Sequence, residues 1–248
     1  MSLSNSKAVA KRTMHLFFMV DASRRLEGFL IDGVNDAMRS ILPIVREISD
    51  SNADAEIKIA ALIFSDGCEW LYNEPKSVED FEWIDQTAFG WTDLGAACQN
   101  LEKVLHHRNG WMDFKNDVYV PVFILFSANR PTDDFDSGVA TLWKNNWFKM
   151  GVKVAIAMGE DADIDVLAKF TGNIERVIRV HEVDTLKKVI RFFAISDADC
   201  EDDEIDWSAT DDEWSEDTVT EALKHQLEEE DIEIITDINT DSDNDEEW

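Results

Sequence analysis

The stretch Met19-Val-Asp-Ala-Ser-Arg-Arg25 closes an apolar run, residues 15–20, that is too short for a helix and reads as a buried strand. An Asp21-x-Ser23 pair at the carboxyl end of such a strand presents a carboxylate and a hydroxyl together. That is the start of a magnesium site, because the ion takes hard oxygen ligands. Arg25, two residues further on, is the opposite of a ligand: a permanent cation whose planar donors suit a carboxylate. The loop either holds a metal or has an arginine in its place.

The elements that must position this loop show as strand-length apolar runs alternating with helical periods. Strands are expected at residues 16–20, 57–64, 120–126, 152–158 and 177–180. After the turn signal Ser65-Asp66-Gly67, residues 68–72 return as an antiparallel edge strand. Apolar residues at helical spacing predict helices over 29–48, 94–105, 135–150, 164–170 and 183–195. Thr92 is the expected N-cap of the second helix, and Trp143 and Trp147 lie four apart on one face of the third. Strands alternating with helices give a parallel sheet covered on both faces. Runs such as VPVFILF fit, since central parallel strands are buried on both sides. The expected fold class is α/β: a Rossmann-like, doubly wound, mostly parallel sheet with one antiparallel edge strand. Ligands of such sheets sit in the crevice at the carboxyl ends of the strands. Three loops meet there: 21–25, 90–95 and 127–134.

Together the loops resemble the metal-ion-dependent adhesion site of von Willebrand factor A (vWA) domains. That site joins an Asp-x-Ser-x-Ser loop, a Thr before a central helix and an Asp after the fourth strand. Here the loops read Asp21-Ala-Ser23-Arg-Arg25 and Gly90-Trp-Thr92-Asp-Leu-Gly95, the second similar to Gly-Gly-Thr-x-Leu-Gly. The third, FILFSANRPTDDF, is similar to Leu-x-x-Asp-Gly-x-Pro-Thr-Asp-Asp. Its Pro131-Thr-Asp-Asp134 ending and the segment that follows resemble the bacterial tellurium-resistance-associated vWA proteins. The resemblance covers roughly residues 12–195. It implies that Asp21, Ser23 and Thr92 are the remnant of a metal site, with Arg25 where a second Ser would stand and Ala128 where a second Asp would stand. Magnesium takes about six oxygens near 2.1 Å, and one carboxylate with two hydroxyls seldom outcompetes water for it. The degenerate site therefore implies no cofactor. Mg2+ is the alternative if Asp133 or Asp134 supplies the lost carboxylate, although such a pair more often caps the following helix. Arg25 reads either as an internal cation that neutralises Asp21 or as a solvent-facing side chain on an inert loop.

Elsewhere the sequence nominates no chemistry. His106-His107 follow a helix end, where a cation is favoured, without Cys or acids at ligand spacing. Cys98 shares a face with Leu94 and Leu101 and reads as core. A Ser/His/Asp arrangement, a Gly-rich phosphate loop and a His-Glu-x-x-His are all absent from the sequence, so an enzyme is not expected. Cys68, Cys98 and Cys200 are odd in number and widely spaced, which disfavours a disulfide framework or a zinc site. The opening MSLSNSKAVAKRT lacks the apolar core of a signal peptide. A soluble cytoplasmic protein is expected.

Charge divides the chain. Residues 196–248 hold 24 Asp/Glu against one Lys, a balance of −23 out of the total of −30, which leaves −7 for the first 195 residues. The expected organisation is a lead over 1–11, a vWA domain over 12–195 and an acidic tail over 196–248. So negative a chain repels nucleic acid and anionic membrane as direct ligands. The tail is mostly too charged to build a core. Yet Trp207, Trp214 and Trp248 each follow acids, in DEIDW, TDDEW and NDEEW, the composition of a partner-docking segment aimed at a basic surface. The expected function is a non-catalytic cytoplasmic protein–protein interaction module, a scaffold or adaptor. The resemblance implies a bacterial stress-response or defence system, with a protein kinase or metal-dependent phosphatase as partner. The alternative is a Mg-dependent ligand-binding vWA domain completed by Asp133 or Asp134.

Overall fold

A computed structural model describes residues 11–51, 55–106, 110–112, 118–128 and 130–179. The lead up to residue 10, His107, the helix expected over 183–195, Cys200 and the tail with Trp207, Trp214 and Trp248 lie outside the described residues.

In chain order the elements are β1 (Arg12–Asp21), α1 (Phe29–Ser51), β2 (Ala55–Ser65), β3 (Gly67–Trp70), β4 (Lys76–Ser77), α2 (Leu94–Val104), β5 (Val122–Ser127), α3 (Phe135–Leu142), α4 (Asn146–Met150), β6 (Val152–Ala157), α5 (Ile164–Thr171) and β7 (Val177–Arg179). The strands form one sheet in the order β3-β2-β1-β5-β6-β7, with β4 also pairing β2. Strands β1, β2, β5, β6 and β7 run parallel, whereas β3 and β4 are antiparallel to β2. The expected antiparallel edge strand is β3; the two-residue β4 beside it has too little pattern to be read from sequence.

β1 is central, and its successive side chains enter two different cores. Phe18 and Val20 pack with Ile124, Phe126 and Ile156 beneath Val34, Met38, Ile41 and Val45 of α1. Phe17 and Met19 pack with Leu62, Phe123 and Leu125 against Leu94 and Leu101 of α2, Leu142 of α3, Phe148 of α4 and Phe170 of α5. Burial on both faces explains the unbroken apolar run that precedes Asp21.

The single helix expected over 135–150 is two helices. α3 stops at Leu142, and Asn145 opens α4 by accepting a hydrogen bond from the Trp147 amide at 3.0 Å. A capping side chain offers the backbone an alternative to continuing the helix, so Trp143 and Trp147 do not share one helical face. α4 ends on an unusual cap. Lys153 of β6 is fully buried and donates to the carbonyls of Phe148 (3.0 Å), Lys149 (2.9 Å) and Gly151 (2.8 Å). Its ammonium lies 4.6 Å from the centroid of the Trp143 ring. The carbonyls left over at a helix C-terminus are thus met by a cation, which the helix dipole also favours.

At the start of β1, His15 is buried and stacks 6.0 Å from Phe17. Burial, with Lys58 opposite it on β2, lowers its pKa from the usual 6.5 to about 4. A base with a depressed folded pKa leaves the unfolded chain binding the extra proton. Its contribution is full above pH 6.5 and is lost as the pH falls toward 4. Between pH 6.5 and 5 wild type should therefore lose about 1.5 kcal/mol relative to a His15→Phe variant. Parallel urea-unfolding profiles for the two proteins across that range would show that the imidazole titrates as if in water.

Candidate functional site

Asp21 is the last residue of β1 and is fully buried. Its Oδ1 accepts the Ser23 amide at 2.8 Å and its Oδ2 accepts the Ser127 hydroxyl at 2.8 Å. The Ser23 hydroxyl and the Ala128 amide also bond to the carboxylate. Burial pushes the Asp21 carboxyl above its ordinary range, while these donors pull it back down. Neutral dipoles thus surround the charge. Ser127 belongs to none of the sequence motifs; its signal is a lone hydroxyl ending an otherwise apolar strand.

Arg25 sits in a 3₁₀ turn, Arg24–Leu26, in which Leu26 is buried and both arginines are exposed. Leu26 joins the core beneath α1 and so takes the inward position of the turn, which sends Arg25 outward. Among the described residues no ion pair joins Arg25 to Asp21. The solvent-facing geometry replaces the internal-cation alternative.

Backbone bonds lace the loops together at the carboxyl edge of the sheet. Ala22 donates to the Phe64 carbonyl and Phe89 donates to the Ala22 carbonyl, both at 2.8 Å; Arg24 donates to the Gly90 carbonyl at 3.3 Å. The buried Thr92 and the exposed Thr132 bond reciprocally, Thr92 N to Thr132 Oγ1 at 3.0 Å and Thr132 N to the Thr92 carbonyl at 2.9 Å. Gly90 has φ +69°, and a Cβ there would lie 2.5 Å from the Asp66 carboxylate. The irregular segment before it is pinned to α1. The buried Asn35 accepts from Trp83 Nε1 (3.0 Å) and the Gln86 amide (2.8 Å), and donates to the Gln86 carbonyl (2.9 Å).

The aspartates of the third loop cap two helices. Asp134 caps α3, accepting from the Ser137 amide at 3.2 Å. Asp133 instead reaches α2, accepting from the amides of Gly95 (2.9 Å) and Ala96 (2.7 Å). The expectation that Thr92 caps α2 is corrected on both counts. The residue preceding α2 is Asp93, whose carboxylate is drawn away to the Gly67 amide at 2.7 Å, and the cap comes from another loop. The approach is close enough to require a glycine, since a Cβ on Gly95 would meet the Asp134 carbonyl at 2.6 Å.

A magnesium ion here would have to compete with protein hydrogen bonds for these carboxylates. The oxygens of Asp21 already carry protein donors. Both oxygens of Asp133 hold helix amides, one oxygen of Asp134 does the same, and Ala128 offers no ligand. Other candidates also have structural partners. His106 pairs with Glu102 at 2.8 Å, and Cys98 is wholly buried, which pushes its thiol far up.

Large apolar side chains rim the crevice. Phe29 is 80% exposed, Phe89 54% and Trp91 68%. The first follows the Arg24–Leu26 turn, and the other two flank the Gly90 whose carbonyl that turn engages.

No protein-family profile and no curated protein matches the chain. Solved structures do. Proximal thread matrix protein 1 from the mussel byssus, in a form with a zinc-occupied adhesion-site motif, aligns at 12% identity and TM-score 0.56, over 73% of this chain and 47% of its own. The PilB minor pilin from Streptococcus sanguinis aligns at 9% identity and TM-score 0.54, over 75% of this chain and 61% of its own. A von Willebrand factor type A structure from Catenulispora acidiphila gives 12% identity and TM-score 0.49, over 75% and 42%. The chain spans less than half the length of the mussel and Catenulispora proteins. The doubly wound sheet, its strand order and its antiparallel edge define the chain as having a von Willebrand factor A fold.

Proposed function

We propose that this chain is a non-catalytic protein-interaction module, a scaffold or adaptor, whose vWA crevice docks protein partners without a metal ion. The observation that carries the reading is the rim. Three exposed aromatics sit on segments fixed by backbone bonds, beside the exposed Arg24 and Arg25. Rigidly held aromatics and arginines are the side chains that anchor protein interfaces. A metal-dependent crevice would instead need Asp133 or Asp134 to abandon a helix cap. By the resemblance of the third loop, the setting we propose is a bacterial stress-response or defence system in the cytoplasm. A protein kinase or metal-dependent phosphatase is the partner it suggests.

Affinity capture from the native host, with quantitative mass spectrometry, tests this reading. Partners held by the full-length chain should fall at least tenfold with Phe29→Ser/Trp91→Ser and should persist in EDTA. Partner sets unaffected by the rim variant, or stripped by EDTA, would overturn it.

A further inference from the structure

The rim has a matching segment within the same chain. We propose that the acidic tail, residues 196–248, docks in cis on the rim formed by Arg24, Arg25, Phe29, Phe89 and Trp91. The proposal rests on the crevice rim being the docking face.

The two segments are complementary in charge and in aromatic content. The tail carries a charge of −23, and each of its tryptophans directly follows acids: DEIDW, TDDEW and NDEEW. The rim offers two adjacent exposed guanidiniums next to three exposed aromatics. A guanidinium binds a carboxylate through paired donors and also stacks on an aromatic face, so one rim suits both halves of each repeat. The exposed acids beside these arginines and aromatics are Glu27, which follows the turn, Asp32 in the first turn of α1, and Asp66, whose carboxylate is engaged by the Trp91 amide at 2.8 Å.

The chain also leads toward the rim. β7 runs parallel to β6 and so, through β5, to β1, and its end at Arg179 lies at the same carboxyl edge of the sheet. There Arg179 donates to the Glu160 carbonyl at 3.1 Å. The neighbouring Gly159 lies against Leu30, whose Cδ1 is 3.5 Å from where a glycine Cβ would sit, and Leu30 adjoins Phe29. The described residues therefore end beside the rim. Even with the expected helix over 183–195, the twelve residues from 195 to Trp207 extend up to about 40 Å. Tethering then favours the tail over any free competitor, since a linked segment acts at an effective concentration on the order of millimolar. The tail covers the face until a partner displaces it, and a basic partner surface that draws off the tail uncovers the aromatics.

The test uses the full chain and a fluorescein-labelled synthetic peptide of residues 201–217, read by anisotropy at low salt. In wild type the tethered tail competes for the rim. Trp207→Ala/Trp214→Ala/Trp248→Ala should therefore bind the peptide at least tenfold more tightly than wild type. Adding Arg24→Glu/Arg25→Glu to that background should abolish the gain, as should half-molar salt. Equal affinity of wild type and the tryptophan variant, or binding to neither, would overturn the proposal. So would a mass that doubles with concentration in sedimentation and collapses in the tryptophan variant, because the occupant would then be the tail of a second copy. Loss of partners from Phe29→Ser/Trp91→Ser with no peptide effect would remove the tail proposal and leave the docking face standing.

Discussion

Lys153→Met is expected to lower the unfolding free energy by about 4 kcal/mol while leaving the sheet order intact. The lysine is fully buried, and its ammonium is the partner of three carbonyls at the end of α4 and just beyond it. Methionine has nearly the same length and keeps the packing against Trp143 and Phe148, so little cavity forms. What disappears is a set of hydrogen bonds to a charged donor, each worth about 1.5–3 kcal/mol when the acceptor is left buried. Against this stands the relief of removing a buried cation, several kcal/mol in the opposite direction. Three unmet carbonyls outweigh that relief because α4 is only five residues long and has little else to hold its end. Urea unfolding with an unchanged slope should report the loss. A variant within about 1 kcal/mol of wild type would show that the α4 carbonyls find water instead.

Ser127→Ala is expected to cost about 2–3 kcal/mol at pH 7, whereas Arg25→Ala should change stability by less than about 0.5 kcal/mol. Ser127 donates directly to the buried Asp21 carboxylate, while Arg25 is exposed. Losing the hydroxyl removes a charge-assisted bond and raises the Asp21 pKa further above its ordinary range. An acid whose folded pKa is raised weakens the fold as the pH climbs from the unfolded value toward the folded one. The Ser127→Ala loss should therefore be larger at pH 7 than at pH 4, where a protonated carboxyl needs fewer donors. Were Arg25→Ala the costlier change, the guanidinium and not the hydroxyl would be the partner of Asp21.

Much of the fold could be read from the sequence because its elements are governed by burial. β1, β5 and β6 are buried on both faces and so appear as unbroken apolar runs, and α1 keeps a helical period along its inner face. The features that escaped depend on single polar groups. Asn145 breaks one helical period into α3 and α4 through a bond to a backbone amide two residues on. The cap of α2 comes from Asp133, 38 residues away from Gly95, and no local signal marks it. The gathering of Asp21, Arg25, Thr92 and Ala128 at the carboxyl edge of the sheet could be read, because each closely follows or precedes an element set by burial. The direction of Arg25 could not, because it depends on Leu26 taking the inward place in a three-residue turn. Nor could the rim, since periodicity assigns Phe29 to the apolar set of α1 while the fold leaves it 80% exposed at the helix start.

Calorimetric titration of magnesium into the full-length chain tests metal-independent docking most directly. With Asp21 surrounded by protein donors and Ala128 where the resemblance would place a carboxylate, wild type should give no binding heat up to millimolar magnesium and no rise in melting temperature. Arg25→Ser/Ala128→Asp, which supplies the two ligand types that the resemblance implies, should gain magnesium-dependent stabilisation that grows as the logarithm of the ion concentration. Specific magnesium stabilisation of wild type, with calcium and sodium controls flat, would contradict the account.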